Sequence, residues 1–567
     1  MLSVALVIFF CGPYRTMCTS QMQRDLRRLA DTKFDVVVVG AGFYGVTTAW
    51  DAAQRGLSVA IIDKDDFGAA TSFNNLKTLH GGLRSLQAFN LPQMRLFIRE
   101  RRALARILPH LVRPLPFIVP TTRNPRRSAL AMRVALAISD AVARDRNHGL
   151  PDPGTHLPDS TIVSKDEALR MNPVVATEGV TGGAVWYDYQ MLSTDRVTLS
   201  FLLSAVDAGA CAANYVRVTR FLQQNNRVFG VKVEDTLTKE TFSIRGTVVV
   251  NAAGPWAASL LSDLPAKAQG APPPRLSRAM NVITRKVVND HACGGLVNGR
   301  YLFMIPWRDV SMLGTSHDAH EGTADQLTVS RWDLEAFLKD AREAFPHADL
   351  TTADVRLIHR GLLPMISGEG THVRLMKESQ VVDHSRHGLS GLVSMFGVRY
   401  TTARHTAQQA VDAVFRVLGH ETPPPCRTAE TPLQGGSINR MDSFLKAVAQ
   451  RDVDGIPPGT LTRIATTYGT SYDQVLHVAR DIPALGHPLG RSCDVIGAEI
   501  LYAARREMAL KLSDALVRRT EAGAAGHPGA DAVERAAAIM ARAHGWDERR
   551  MRNEIGEVEA FFRLPRD

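Results

Sequence analysis

The sequence predicts an α/β fold wound around a buried parallel sheet, with an antiparallel β layer and a separate all-helical domain at the C-terminal end. Three observations carry that expectation. The stretch FDVVVVGAGFYGVTTAWDAAQRGLSVAIID, residues 34–63, reads as strand, glycine turn, helix, strand. The middle third alternates short β-rich runs at Met280 to Val287, Tyr301 to Pro306 and Val310 to Gly314. Beyond Pro423-Pro424-Pro425 the pattern is helical, at 441–450, 460–467, 494–520, 530–543 and 549–562. The expected division is an N-terminal extension at 1–33, two interleaved subdomains over 34–422, and a helical domain over 430–567.

The first strand is apolar throughout, as a parallel strand covered on both faces requires. It runs into Gly40-Ala41-Gly42-Phe43-Tyr44-Gly45, and a helical pattern continues to Arg55, with Gly56 as its stop. The second strand ends on Asp63, 18 residues after Gly45. A bare GxGxxG is weak evidence; between a strand and a helix, with an acid at that distance, it reads as a Rossmann-like dinucleotide site. Gly40 permits the tight turn, Gly42 lets backbone approach a pyrophosphate, and Gly45 lets the helix lie close to the strand. The helix N-terminus offers N–H groups and partial positive charge to the phosphates, and Asp63 accepts from a ribose. The bland alternative is a glycine turn without a ligand.

Residues 67–86, FGAATSFNNLKTLHGGLRSL, are small, polar and glycine-rich, which suits a loop wrapping a cofactor through Thr71 and Ser72. His80-Gly81-Gly82 brings backbone near a flat ring, while Lys77, His80 and Arg84 add cationic or titratable groups. Residues 94–107 are helical and basic, and 128–143 form a second amphipathic segment. The proline-broken stretch between them is apolar and flanked by Arg113, Arg123, Arg126, Arg127 and Arg133. It reads either as a face resting on a bilayer or as a solvated basic surface over a buried stripe.

After a Pro/Asp/Gly-rich break at 149–160, Ala184 to Asp195 is strand-like and leads into a helix over Thr198 to Ala208. Val216 to Phe221, containing the cofactor candidate Val218, pairs with Arg227 to Val233. Gly246 to Asn251 is a buried strand ending at Gly254-Pro255-Trp256, and such a turn lies at the carboxyl edge where ligands bind. Trp332 to Phe345 is an amphipathic helix. Leu392 to Phe396 returns as a strand, and Gly397-Val398-Arg399-Tyr400-Thr401-Thr402 opens the helix 403–418, a second N-terminus suited to the cofactor.

Composition narrows the function classes. The chain has 567 residues, 45% hydrophobic and 22% charged, ordinary values for a globular protein of two or three domains. Its six cysteines are scattered without a CxxC pair, which fits a reducing compartment and implies no metal site. The net charge of +10 marks either a face for anionic lipid or an acidic ligand, or an arginine-rich proteome. No nucleic-acid motif accompanies it, so no nucleic-acid partner is expected. Val4 to Cys11 is too short to span a bilayer and lacks a secretory signal's basic flank. It reads as a start codon assigned too early, with Met22 as the natural beginning, or else as a short membrane-touching N-terminus.

VVVVGAGFYGVTTAWDAAQRGLSVAIID, KTLHGGLRSL, VNAAGPWA, RYLFMIPWRDVSMLGTSHD and MFGVRYTTAR, in this order, resemble the FAD-dependent glycerol-3-phosphate dehydrogenases of the D-amino-acid-oxidase-like superfamily. YGTSYDQVL and EILYAARREMALKLSDALVRRT resemble that family's helical domain. The resemblance implies non-covalent FAD, oxidation of glycerol 3-phosphate to dihydroxyacetone phosphate, and electrons passed to quinone at the cytoplasmic face of a membrane; it leaves room for a homodimer. Substrate positions depart from the family pattern: Ser85 stands where the family has Tyr, Leu363 where it has a substrate-facing Arg, Lys377 for another Arg, Arg399 for a Lys, and His317 for an Asp. His80, Arg84, Lys377 and Arg399 are the catalytic candidates, with Arg360 as a further anion holder. The alternatives are a related flavin oxidoreductase for another anionic hydroxy or amino acid, and a flavin-holding subunit without turnover.

Overall fold

The computed structural model describes residues 22–86, 89–269, 274–369, 372–453 and 455–565. The proposed early start codon and the membrane-touching N-terminus fall on residues 1–21, outside the described residues. From Met22 the chain is already docked: Met22 is buried, and Arg24 pairs with Asp235 at 2.7 Å.

Two large sheets build the core. The first runs Gln380–Asp383, Leu392–Phe396, Thr241–Asn251, Lys33–Val39, Val59–Ile62, Cys211–Ala213. All its neighbours are parallel except Gln380–Asp383, which is antiparallel to Leu392–Phe396. The hairpin Val216–Gln224 with Arg227–Asp235 hangs from Thr241–Asn251. The helices Phe43–Gln54, Thr194–Asp207 and Ala403–Val417 share one apolar core with this sheet, which explains why its central strands carry no polar alternation.

The second sheet is mostly antiparallel and is assembled from chain segments lying between strands of the first: Thr78–Leu79, Val112–Thr122 and Val180–Met191 from one excursion, Arg275–Arg285 through His372–Leu375 from another. Of the two expectations for the proline-broken stretch, a face resting on a bilayer or a basic surface over a buried stripe, the structure bears out the buried stripe. Val112–Thr122 is a strand paired along its length with Val180–Met191, and Leu115, Phe117, Ile118 and Val119 are buried. Pro114, Pro116 and Pro120 share one parity, so their missing donors fall on a single edge, the only arrangement a ladder tolerates.

Beyond residue 430 the structure is helical with one small hairpin, Pro488–Gly490 with Cys493–Ile496. The continuous helix expected over 494–520 is interrupted. Gly497–Arg506 ends where Glu507 turns inward to Arg196 at 2.7 Å, and Met508 takes a positive φ of 53°. Asp514 then caps the next turn by accepting from the Leu510 and Lys511 amides. The helix Tyr472–Asp481 was not among the expected helices, although Tyr472, Val475, Leu476 and Ala479 fall at helical spacing and are buried.

A buried ion cluster fastens this helical part to the first sheet. Asp66 accepts from Arg518 Nε at 2.6 Å and from both terminal nitrogens of Arg519 at 2.7 and 2.6 Å. Asn214 Nδ2 adds a bond at 2.9 Å. Burial alone would raise the Asp66 carboxyl, but the Arg519 and Arg518 guanidiniums outweigh it and hold it well below the usual carboxylate range. Breaking one side of such a cluster strands buried charge. Asp66→Asn is expected to lower stability by about 3–5 kcal/mol in urea titrations followed by tryptophan fluorescence. Because the folded carboxyl is depressed, its contribution is complete above an unfolded value near about 3.9 and is lost as pH falls below it. The wild type therefore loses this increment in acid, and Asp66→Asn has none to lose.

Candidate active site

The glycine turn behaves as its sequence requires. Gly40 has φ of +98°, and a Cβ there would sit 2.6 Å from the Ala252 carbonyl oxygen. A Cβ on Gly45 would overlap the Gly40 carbonyl oxygen, so helix and turn touch backbone to backbone. Gly42 caps Phe43–Gln54 with no side chain of its own, leaving the first-turn amides pointing out of the sheet's carboxyl edge. The Phe43 amide donates to Ser72 Oγ at 2.8 Å and the Ala41 amide to Asp63 Oδ2 at 2.6 Å. Burial pushes the Asp63 carboxyl up to about 7, opposed by the Asp65 and Ala41 amides. A half-buried acceptor in that position is suited to neutral donors such as ribose hydroxyls.

These groups open onto one cleft of about 650 Å³ between the two sheets. Gly40, Gly42, Asp63, Thr71, Ser72, His80, Val218, Gly254, Trp256, Gly397 and Arg399 all line it, as do Leu363 and His317. Thr71 bridges to the second sheet, its Oγ1 donating to the Leu362 carbonyl at 3.1 Å. Lys64 Nζ stands 4.3 Å over the Trp256 ring. The fit to a dinucleotide rests on this cradle: a helix N-terminus whose Phe43 amide is met only by the Ser72 hydroxyl, a half-buried acid beside it, and Gly40 and Gly397, where a Cβ would collide.

Other predicted residues act from behind the cleft or away from it. Lys77 is buried and turned inward, donating to the Phe73 carbonyl at 2.9 Å and Thr194 Oγ1 at 2.7 Å, so it braces the loop. Burial lowers its ammonium to about 8, with Asp195 opposing. Gly81 donates its amide to Asp188 at 2.6 Å, and a Cβ on Gly82 would meet the Phe97 ring. Thr401 Oγ1 accepts from the His80 amide at 3.2 Å. Lys377 and Thr402 lie in an adjoining recess of about 430 Å³, which Arg399 also lines. Ser85 bonds Gln93 at 3.2 Å beside that recess. Arg84 belongs to the short helix Leu83–Leu86. Arg360 is exposed and absent from the cleft wall, while its neighbour Gly361 packs on Thr71.

Sequence reasoning missed Tyr44. Its hydroxyl donates to the Arg399 carbonyl at 2.7 Å and accepts from the Val398 and Arg399 amides at 3.1 and 3.0 Å. It thereby fixes the second glycine turn against the first, and Gly397 is small because the Tyr44 ring lies on it. Phe43 stacks on Tyr400 at 3.6 Å between centroids. The only sequence signal was two aromatics inside a glycine motif.

The family model for FAD dependent oxidoreductases matches residues 35–407, and the model for the C-terminal domain of alpha-glycerophosphate oxidase matches 426–551. Glycerol-3-phosphate dehydrogenase of Synechocystis is 28% identical, covering 88% of this chain and 90% of the relative. Glycerol-3-phosphate dehydrogenase 2 of Mycobacterium tuberculosis is 29% identical, covering 94% and 89%. The FAD complex of the Bacillus halodurans glycerol-3-phosphate dehydrogenase shares the fold, with a TM-score of 0.72 at 24% identity over 94% of this chain and 95% of that one.

The purified protein is expected to be yellow, with FAD and no NAD released on denaturation. Gly42→Val, whose side chain would enter the approach to the bare amides, is expected to give colourless protein by absorbance. Full flavin in that variant would place the pyrophosphate elsewhere. With a glycine turn, a half-buried acid and a second glycine turn facing one cleft, and with both family models matched in order, the chain belongs to the FAD-dependent oxidoreductase family.

Proposed function

We propose that the protein oxidises sn-glycerol 3-phosphate to dihydroxyacetone phosphate, with a membrane quinone as the electron acceptor. The observation that carries this reading is Arg399, which lines both the cleft, where His80 also stands, and the adjoining recess that holds Lys377. The names of the relatives point the same way. Gly40, Gly42, Asp63, Thr71, Ser72, Val218, Gly254, Trp256 and Gly397 are the residues that hold FAD. When bound, FAD supplies a hydride acceptor for the carbinol carbon.

The protein's own groups do the rest. Arg399 offers a bidentate clamp to the phosphate and Lys377 a point charge. His80, with more than half of its side chain exposed to the cleft side, takes the hydroxyl proton at an imidazole nitrogen. Leu362, Leu363 and Pro364 form an apolar wall that excludes water. Tyr44 holds the Arg399 backbone in place.

Leu363 also favours a second reading. Where the resembling family places an arginine, the cleft wall here is apolar, which suits a different anionic hydroxy or amino acid. One charge-assisted hydrogen bond is worth roughly 1.5–3 kcal/mol, about a 10- to 150-fold effect on binding. The wild type is expected to oxidise glycerol 3-phosphate weakly with a dye acceptor, and Leu363→Arg to raise kcat/KM at least about tenfold. An ordinary wild-type kcat/KM would mean that other residues complete the phosphate site; turnover of other acids alone would favour the second reading.

The membrane part of the proposal rests on the helix Ala129–Val142. Leu136 is its inner anchor, yet Leu130, Val134 and Ile138, one turn apart on the other face, are 72, 52 and 44% exposed. Arg123, Arg126 and Arg133 are exposed beside them. A cation-rimmed apolar helix face fits an anionic bilayer surface. Among the described residues no helix is long and apolar enough to cross a membrane. Replacing Leu130 and Val134 together by Asp is expected to weaken sedimentation with anionic phospholipid vesicles at least about tenfold, since each buried aliphatic chain is worth roughly 1.5–3 kcal/mol. Unchanged sedimentation would move the contact to another face.

A further inference from the structure

Behind the His80-Gly81-Gly82 turn lies a buried carboxylate that the reaction as described does not use. Asp188, on the strand Val180–Met191, is 4% exposed. Its Oδ1 accepts from the Gly81 amide at 2.6 Å and from the Arg101 guanidinium, and its Oδ2 lies 3.7 Å from His80 Nδ1. Arg101, on the helix Leu91–Ile107, also donates to the Tyr187 carbonyl at 3.1 Å. A Cβ on Gly81 would run into this guanidinium and carboxylate, so glycine is required for the turn to reach them.

We propose that Asp188 is the positioning residue for His80: it fixes the imidazole with Nδ1–H directed at its carboxylate and compensates the charge that forms when Nε2 accepts a proton from the substrate hydroxyl. The inference rests on the role given to His80 above. Nε2 is engaged by the Thr78 hydroxyl at 3.0 Å, and the substrate hydroxyl takes that partner's place. The balance is simple. The hydroxyl O–H bond breaks and its proton goes to Nε2; the carbinol hydride leaves to the flavin that the family's chemistry supplies; the imidazole becomes a cation facing a carboxylate. Arg101 and the Gly81 amide keep the carboxylate in position throughout.

The surroundings make Asp188 the anionic partner of His80. Phe117 from the strand Val112–Thr122 faces the ring at 6.3 Å between centroids, and Thr401 meets the backbone amide. The other charged and titratable groups on the cleft wall are Asp63, Lys64, Asp65, Arg217, His317, Asp325 and Arg399, with the Tyr44 and Tyr400 hydroxyls, and Arg101 holds the other oxygen of Asp188. The carboxylate that pairs with His80 is Asp188.

The test uses the full-length flavoprotein with isotopically labelled histidine, the His80 resonance being assigned by its loss in His80→Gln. Asp188→Asn is expected to release His80 from the Nδ1–H tautomer, read from its nitrogen chemical shifts, and Asp188→Glu to restore most of it. The kcat for glycerol 3-phosphate should fall at least about tenfold in Asp188→Asn, with KM changing less than kcat. In the wild type, nitrogen chemical shifts should report Nδ1 as the protonated nitrogen of neutral His80, a measurement that stands even if Asp188→Asn fails to fold. An unchanged tautomer in Asp188→Asn, or Nε2 protonated in the wild type, overturns the inference. A changed tautomer in a protein that ignores glycerol 3-phosphate would sink the substrate reading and leave the pair intact.

Discussion

The structure depends on one close approach. The turn after the first strand must pass under the Ala252 carbonyl while the following helix rests on the turn, and three surfaces meet there without a side chain between them. Gly40 and Gly45 are the only residue type that allows it. Once that contact is made, the first-turn amides of Phe43–Gln54 point at the carboxyl edge of the sheet, and Asp63 arrives beside them from the next strand. The cofactor cleft follows from that geometry, because every strand of the parallel core ends at the same edge.

The second sheet and the helical domain serve to close and steady that edge. Thr71 ties the cofactor loop to Leu362 of the second sheet, and Asp66, three residues after the ribose acid, is held by Arg518 and Arg519 from the helical domain. The loop that carries the ribose acid is thus anchored from two sides. Lys77, buried with Asp195 and Thr194, anchors its far end. Residues far apart in the chain accordingly converge on one twenty-residue loop, and the helical domain acts on the cleft through ions buried at its base.

Much of this was legible in the sequence, for physical reasons. The apolar run Val36–Val39 can only be a two-sided strand, and the order of glycine, strand and acid fixes a nucleotide turn. His80, Arg399 and Leu363 were picked from local motifs, and the structure brings all three to one cleft. What escaped depends on contacts that no local pattern encodes. Tyr44 reads as a filler inside a glycine motif until its hydroxyl is seen to hold three backbone groups of 398–399. Asp188 sits in an alternating strand and reveals its role only through Arg101 and Gly81. The stretch around Pro116 left two readings open because its flanking arginines suit a bilayer or solvent alike; only the pairing with Val180–Met191 shows that its apolar residues are core. The break after Arg506 was invisible because it is driven by two buried acids, Glu507 and Asp514, whose partners lie hundreds of residues away.

In the proposed function, the cleft, the cation Arg399 with Lys377 in the adjoining recess, and a histidine backed by a buried acid make one site for an anionic alcohol. The most direct test is to mix the purified flavoprotein with glycerol 3-phosphate in the absence of oxygen and follow the flavin absorbance. The account predicts bleaching by glycerol 3-phosphate, with dihydroxyacetone phosphate recovered in proportion to the flavin reduced. A flavin that stays oxidised with glycerol 3-phosphate and bleaches only with other hydroxy or amino acids, or with no donor at all, would contradict it.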